Sequence, residues 1–238
     1  MTFHVRRIGT GPALVLVHGS VQNSVTWVGQ QSLADEFTLV LPDRPGYAPN
    51  PPLERIDFAD QATDMAALLG EDAHLGGFSY GGVIALLAAA LRPDAVHSLM
   101  VIEPPCFAVA RGVPAVDEAV AGYRAAMAVE EPHEFIARFA AVFGPAGRVP
   151  GSIPPGGDQG VRALMAERPP WEAVIPLERL AAIPALVCSG GYHPAYEAVC
   201  DVLEQGLGAE RAVLPGAGHG VHRAPGFNER YLTFLRNV

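Results

Sequence analysis

Glycines flank a serine in the run Gly77-Phe78-Ser79-Tyr80-Gly81, and Gly82 follows. An apolar run at 74–78 leads into this pentad and another, 83–91, leads out of it. The spacing predicts a buried strand that turns sharply into a helix. Side chains two residues before and after the serine would collide in such a turn, and glycine at 77 and 81 removes them. The turn lifts the Ser79 hydroxyl above the sheet, at a helix N-terminus whose free N–H groups face any developing anion. This is the G-x-S-x-G pattern that presents a serine nucleophile.

The rest of the chain repeats the strand-then-helix rhythm. Apolar runs at 13–18, 38–41, 74–78, 96–102, 185–189 and 212–214 read as buried strands, and 58–69, 83–91 and 227–236 as helices. Strands alternating with helices imply right-handed crossovers and a mostly parallel sheet, an α/β fold. Residues 106–180 break the rhythm. Val116, Val120, Tyr123 and Met127 recur at helical spacing, as do Phe135, Ile136, Phe139 and Phe143, and a Pro/Gly-rich loop at 144–157 precedes another helix ending near Glu167. The predicted organisation is a core of 1–105 and 181–238 with a helical cap, 106–180, over the carboxyl ends of the strands, where ligands of open α/β sheets bind.

Composition removes several function classes. The 238 residues are 50% hydrophobic and 17% charged, which excludes a disordered chain. A net charge of −9 argues against a nucleic-acid partner. The N-terminus carries no apolar signal region, and the run at 83–91 is too short to span a bilayer, so no membrane partner is expected. Three cysteines, Cys106, Cys188 and Cys200, are odd in number and lack metal-ligand spacing; they read as packing thiols in a reducing cytoplasm. Eight scattered histidines form no ligand cluster, so no metal is expected.

Two further signals bear on chemistry. His18-Gly19-Ser20 follows the first long strand, where a backbone N–H can join that of Tyr80 in holding an oxyanion. Ser20 is the preferred donor, with Gly19 and Val21 as alternatives, while His18 reads as a buried histidine bonding the loop. Near the C-terminus, Pro215-Gly216-Ala217-Gly218-His219 sets a histidine on a glycine loop after the last strand. His219 is the expected base for Ser79, and His222 is its competitor.

Taken in order, His18-Gly19, Asp43-Arg44-Pro45-Gly46-Tyr47, the pentad with Gly82, and Gly218-His219 resemble the α/β-hydrolase superfamily over nearly the whole chain outside the cap. The resemblance implies an eight-stranded sheet or a slightly trimmed one, since the short N-terminus leaves little room for a first hairpin. It also implies acyl transfer to water without metal or organic cofactor. The family usually places the triad's aspartate after the strand at 185–189, but here His193 stands at that place in Gly190-Gly191-Tyr192-His193-Pro194. Glu103, at the end of the strand 96–102, is the expected replacement, as in haloalkane dehalogenases and zearalenone-type lactonases; Glu197 and Asp201 are alternatives. An unpaired glutamate ending a buried strand is costly, which favours a charged partner such as His219.

The expected function is hydrolysis of a carboxylic ester or lactone of an apolar small molecule by Ser79, His219 and Glu103, with Ser20 and Tyr80 amides at the oxyanion. Trp27, Phe78, Phe107, Met127, Phe135 and Trp171 are candidate pocket-lining residues, each of which could equally be core. Carbon–carbon bond hydrolysis, hydroxynitrile cleavage, or a ligand-binding homologue without activity are the alternatives, and a homodimer is left open.

Overall fold

The computed structural model describes residues 3–238, which build one sheet of seven strands in the order β1-β3-β2-β4-β5-β6-β7. The strands are β1 Val5–Ile8, β2 Ala13–Val17, β3 Thr38–Pro42, β4 Ala73–Phe78, β5 Val96–Ile102, β6 Ala185–Ser189 and β7 Glu210–Val213. Only β1 runs antiparallel, against β3; every other pairing is parallel. The helices are α1 Phe58–Ala66, α2 Tyr80–Leu91, α3 Pro114–Met127, α4 Pro132–Val142, α5 Gly144–Gly147, α6 Asp158–Ala166, α7 Leu177–Leu180, α8 Pro194–Leu207 and α9 Phe227–Asn237.

The continuous apolar strands follow from burial on both faces. Along β2, Val15 and Val17 point into the core shared with α1, α2 and α8, while Leu14 and Leu16 point into the core shared with α9 and with a 3₁₀ segment, Ser24–Asp35. That period-2 division is what a strand covered by helices on both sides requires. Among the elements not anticipated are β1, an edge strand, and the 3₁₀ segment. Within the Pro/Gly-rich stretch, residues 144–147 close a single helical turn.

Residues 106–180 lie between β5 and β6 and carry α3 to α7. Phe135, Ile136, Val161 and Leu164 form a small core of their own, while Val116, Ala119, Tyr123, Phe143 and Trp171 join the main one. The segment therefore packs partly on itself and partly on the main core. A short parallel bridge, Ile56 with Glu167, adds main-chain bonds from Ile56 N–H to the Ala166 carbonyl at 2.9 Å and from Arg168 N–H to the Ile56 carbonyl at 2.7 Å. Among the described residues, no helix is long and apolar enough to cross a membrane.

The turn at Ser79 depends on close backbone approaches. A Cβ at Gly77 would lie 2.3 Å from the Gly81 carbonyl oxygen, and one at Gly81 would lie 2.3 Å from that of His18. Gly81→Ala must therefore push α2 off the end of β2. Overpacking of this kind costs about 1–3 kcal/mol, more than the ~1 kcal/mol that alanine gains over glycine in a helix. Urea denaturation should show Gly81→Ala destabilised and Gly29→Ala, where a Cβ meets nothing within 4 Å, close to wild type; equal stability of the two variants would contradict this account.

Candidate active site

Ser79 has φ 53° and ψ −124°, a conformation that L-residues avoid and that only its surroundings can hold. Its N–H donates to the Ile102 carbonyl at 2.8 Å, which ties the turn to the end of β5. Its Oγ lies 3.0 Å from His219 Nε2. The histidine loop is held from the other side: His219 N–H donates to the Gly147 carbonyl at 3.0 Å. Gly218, at φ 61°, lets the chain pass there, since a Cβ would come within 2.7 Å of the Ala146 and Gly147 carbonyl oxygens.

The other imidazole nitrogen, His219 Nδ1, lies 2.6 Å from Glu103 Oε2. Glu103 is fully buried and has φ 41° at the end of β5. Its carboxylate also accepts from Gly190 N–H at 2.7 Å and from the Tyr192 hydroxyl at 3.3 Å. Burial, and then the Glu103 charge, hold the Tyr192 phenol well above its ordinary pKa, so it stays a donor. With Nδ1–H donated to Glu103, Nε2 is free to accept the Ser79 proton.

His193, Glu197, Asp201 and His222 do not enter this chain of contacts. His193 caps α8, its Nδ1 accepting from Ala195 N–H at 3.2 Å, and its Nε2 lies 3.0 Å from the Val142 carbonyl at the end of α4. Glu197 accepts from Ser189 Oγ, Gly191 N–H and Arg211 Nη2, and Asp201 is exposed. His222 lies against the rings of Trp27 and Phe78, and burial, then Arg223 and His219, push it down to about 3.

Ser20, Ser79 and Tyr80 line one cavity together with Phe107, Met127 and Trp171. Pro105, Tyr123, Phe139, Phe143, Leu164, Glu167, Pro170 and Tyr196 complete its wall. The backbone at Gly19 abuts Ser79, for a Cβ there would lie 3.1 Å from that of Ser79. The cavity is small, with a volume of about 30 Å³.

Three expected lining residues lie elsewhere. Trp27 belongs to the core on the α9 side of the sheet, because the 3₁₀ segment carries it beneath β2 and not over the strand ends. Phe78 packs behind the histidine loop, its ring 4.8 Å from that of His219 and 4.5 Å from that of His222. Phe135 is in the small core of α4 and α6, one ring behind Phe139. Tyr123, Phe139 and Phe143 already stood out by their helical spacing. Glu167 did not, and no local pattern distinguishes it from a surface carboxylate at a helix end.

Glu167 is a second buried carboxylate at the cavity wall. It pairs with the buried Arg44 guanidinium and accepts from the Tyr47 hydroxyl at 2.7 Å and Ser20 Oγ at 2.5 Å. Burial raises its pKa, and Arg44 opposes that rise. His18 connects the same two loops. Its Nδ1 lies 2.7 Å from the Gly19 carbonyl and its Nε2 accepts from Arg44 N–H at 2.9 Å. This arrangement needs neutral imidazole, and burial, then Arg44, lower the His18 pKa well below 6.5.

A family model described as the alpha/beta hydrolase family matches residues 14–227. The pimeloyl-[acyl-carrier protein] methyl ester esterase of Aeromonas hydrophila is 37% identical over 111 residues, 45% of this chain and 44% of that protein. The match thus spans less than half the length of that relative. A hydrolase from Oleispira antarctica superposes with a TM-score of 0.77 at 17% identity, covering 99% of this chain and 95% of that one. An alpha/beta hydrolase from Sphaerobacter thermophilus gives 0.69 at 22%, covering 98% and 96%. These two structures share the fold.

His18 and His222 carry a pH signature. Unfolded, each takes up a proton near pH 6.5; folded, each resists it. The stability they contribute is complete above pH 6.5 and is lost as pH falls towards their lowered folded values. Each accounts for up to ~1.4 kcal/mol per pH unit below pH 6.5. Replacing His222 with Phe should flatten the decline in unfolding free energy between about pH 6.5 and 5 by that amount. An unchanged slope in pH-dependent urea melts would count against a neutral His222.

Proposed function

The chain belongs to the alpha/beta hydrolase family, and from that premise we propose that it is a serine hydrolase cleaving carboxylic esters or lactones of apolar small molecules. The observation that carries the reading is the unbroken chain of contacts from Ser79 Oγ to His219 Nε2 at 3.0 Å and from His219 Nδ1 to Glu103 Oε2 at 2.6 Å. The name of the Aeromonas relative, a methyl ester esterase, supports an ester as the bond cleaved.

Reaction starts as His219 Nε2 takes the Ser79 proton while Oγ attacks the substrate carbonyl carbon. The oxyanion that forms is held by the Ser20 and Tyr80 amide N–H groups, the second of them at the N-terminus of α2. Collapse expels the alcohol, which leaves with the proton from Nε2. Water then attacks the acyl-enzyme, giving its proton to His219, and the acid departs as Ser79 recovers its own. Glu103 keeps Nδ1–H in place and balances the imidazolium through both steps.

The mostly aromatic and aliphatic wall suits an apolar acyl group. Residues 106–180 act as a cap. With so little open space against Ser79, substrate is admitted only when part of that cap moves.

A fluorophosphonate probe should label Ser79 in the wild-type enzyme, and short p-nitrophenyl esters should be hydrolysed. Ser79→Ala should lower kcat by about 10⁶-fold, and Glu103→Gln by about 10⁴-fold. Glu197→Gln, whose carboxylate serves Ser189, Gly191 and Arg211, should keep its activity and lose thermal stability. A folded Ser79→Ala enzyme retaining more than about a hundredth of the wild-type rate would overturn the nucleophile assignment.

A further inference from the structure

Ser20 faces two ways. Its amide N–H is the proposed oxyanion donor, while its hydroxyl donates to Glu167 Oε2, at the end of α6, at 2.5 Å. The next residue, Val21, has φ 71°, a conformation rare for a β-branched side chain. Its carbonyl lies directly against α6: a Cβ at Gly160 would be 1.8 Å from the Val21 oxygen. Only glycine at 160 lets the helix come this close. Helix α6 therefore grips the turn at 20–21 at two points, one polar and one steric.

Glu167 is itself immobilised. Its second oxygen takes the Arg44 guanidinium and the Tyr47 hydroxyl, and its main chain bridges to Ile56. Arg44 in turn lies between the rings of Tyr47, at 4.6 Å, and Tyr80, at 4.9 Å. Tyr80 supplies the other oxyanion donor. One buried ion pair thus reaches both halves of the proposed oxyanion site, one through a hydroxyl and the other through a ring.

We propose that Glu167 is a positioning residue of the oxyanion site: through the Ser20 hydroxyl it holds the Ser20 amide where the anion forms, so that the packing of α6 against this turn sets the catalytic geometry. This inference rests on the serine hydrolase reading. An oxyanion donor acts only if preorganised, and loss of one costs about 10²–10³ in kcat; a displacement of about 1 Å costs on the order of 10². A Glu167 that merely neutralises Arg44 would leave kcat indifferent to the Ser20 hydroxyl.

Ser20→Ala separates the two roles, because it keeps the amide N–H and the Arg44–Glu167 pair and removes only the tether. Steady-state kinetics on p-nitrophenyl acetate should show kcat reduced about ten- to a hundred-fold with KM within about twofold, while the melting temperature falls because buried Glu167 Oε2 loses its donor. Ser20→Thr, which retains the hydroxyl, should recover most of the rate. Glu167→Gln should lower kcat comparably, and the double variant should lose little more than either single one. If Glu167→Gln does not fold, the Ser20→Ala and Ser20→Thr pair still decides. A Ser20→Ala enzyme with wild-type kcat, beside a wild type that turns over ester and labels at Ser79, overturns the inference and leaves the hydrolase reading standing. A wild type that neither labels nor turns over overturns both.

Discussion

A carboxylate with no solvent exposure must be met by donors, and Glu103 draws its three donors from two stretches of chain distant from it. Gly190 N–H, the Tyr192 hydroxyl and His219 Nδ1 lie 87, 89 and 116 residues away in sequence. Each fixes a loop that has no regular structure of its own. The turn after β6 is drawn to the end of β5, and the glycine loop after β7 is drawn across both. Placement of the histidine over Ser79 is therefore a consequence of satisfying one buried charge. Removing one partner of such a group typically costs about 3–5 kcal/mol, which is what keeps loops rich in glycine from wandering.

The second buried carboxylate, Glu167, ties residues 106–180 to Arg44, Tyr47 and Ser20. Arg44 and Glu167 are both almost free of solvent, and Arg44 Nε and Nη1 have no hydrogen-bond partner among the described residues. The aromatic faces of Tyr47 and Tyr80 compensate in part, as cation–π contacts between desolvated groups are worth about 2 kcal/mol. A pair of this kind adds little net stability over an apolar substitute. What it adds is direction: an apolar contact would let α6 slide, whereas the ion pair and the main-chain bridge at Ile56 accept one position. His18 reinforces that position by linking the Gly19 carbonyl to the Arg44 amide.

How much of this was readable from sequence divides along physical lines. The central strands were legible because burial on both faces leaves uninterrupted apolar runs; β5 and β6 were located to the residue. The turn at Ser79 was legible because its glycines answer a local steric demand. Strand β1 was not, because Val5-Arg6-Arg7-Ile8 is a short edge strand with charges inside it, and its pairing with β3 is a tertiary fact. Aromatic residues were the least legible. Trp27 and Trp171 look alike in sequence, yet one lies beneath the sheet and the other at the cavity, a choice made by the segments that carry them. Glu167 lies 123 residues from Arg44 and 147 from Ser20, and only the folded chain brings them together.

The position of the proposed acid, Glu103, is the clearest case of a departure that the fold makes workable. The usual place after β6 is filled by His193, which caps α8 and reaches the end of α4, so that loop supplies no carboxylate. Strands β5 and β6 are parallel neighbours with Ile102 opposite Cys188, and the Glu103 N–H donates to the Cys188 carbonyl at 3.1 Å. Moving the acid from one strand end to the next shifts its origin by one strand spacing, about 4.8 Å. Glutamate is one methylene longer than aspartate, and the φ of 41° at Glu103 swings the chain away from the strand direction just as the side chain departs. The turn after β6 has its own part in the arrangement. Gly190 and Tyr192 now donate to the acid from the neighbouring strand. The contact with His219 Nδ1 is thus made by a carboxylate at the end of β5 that two donors from the turn after β6 hold in place.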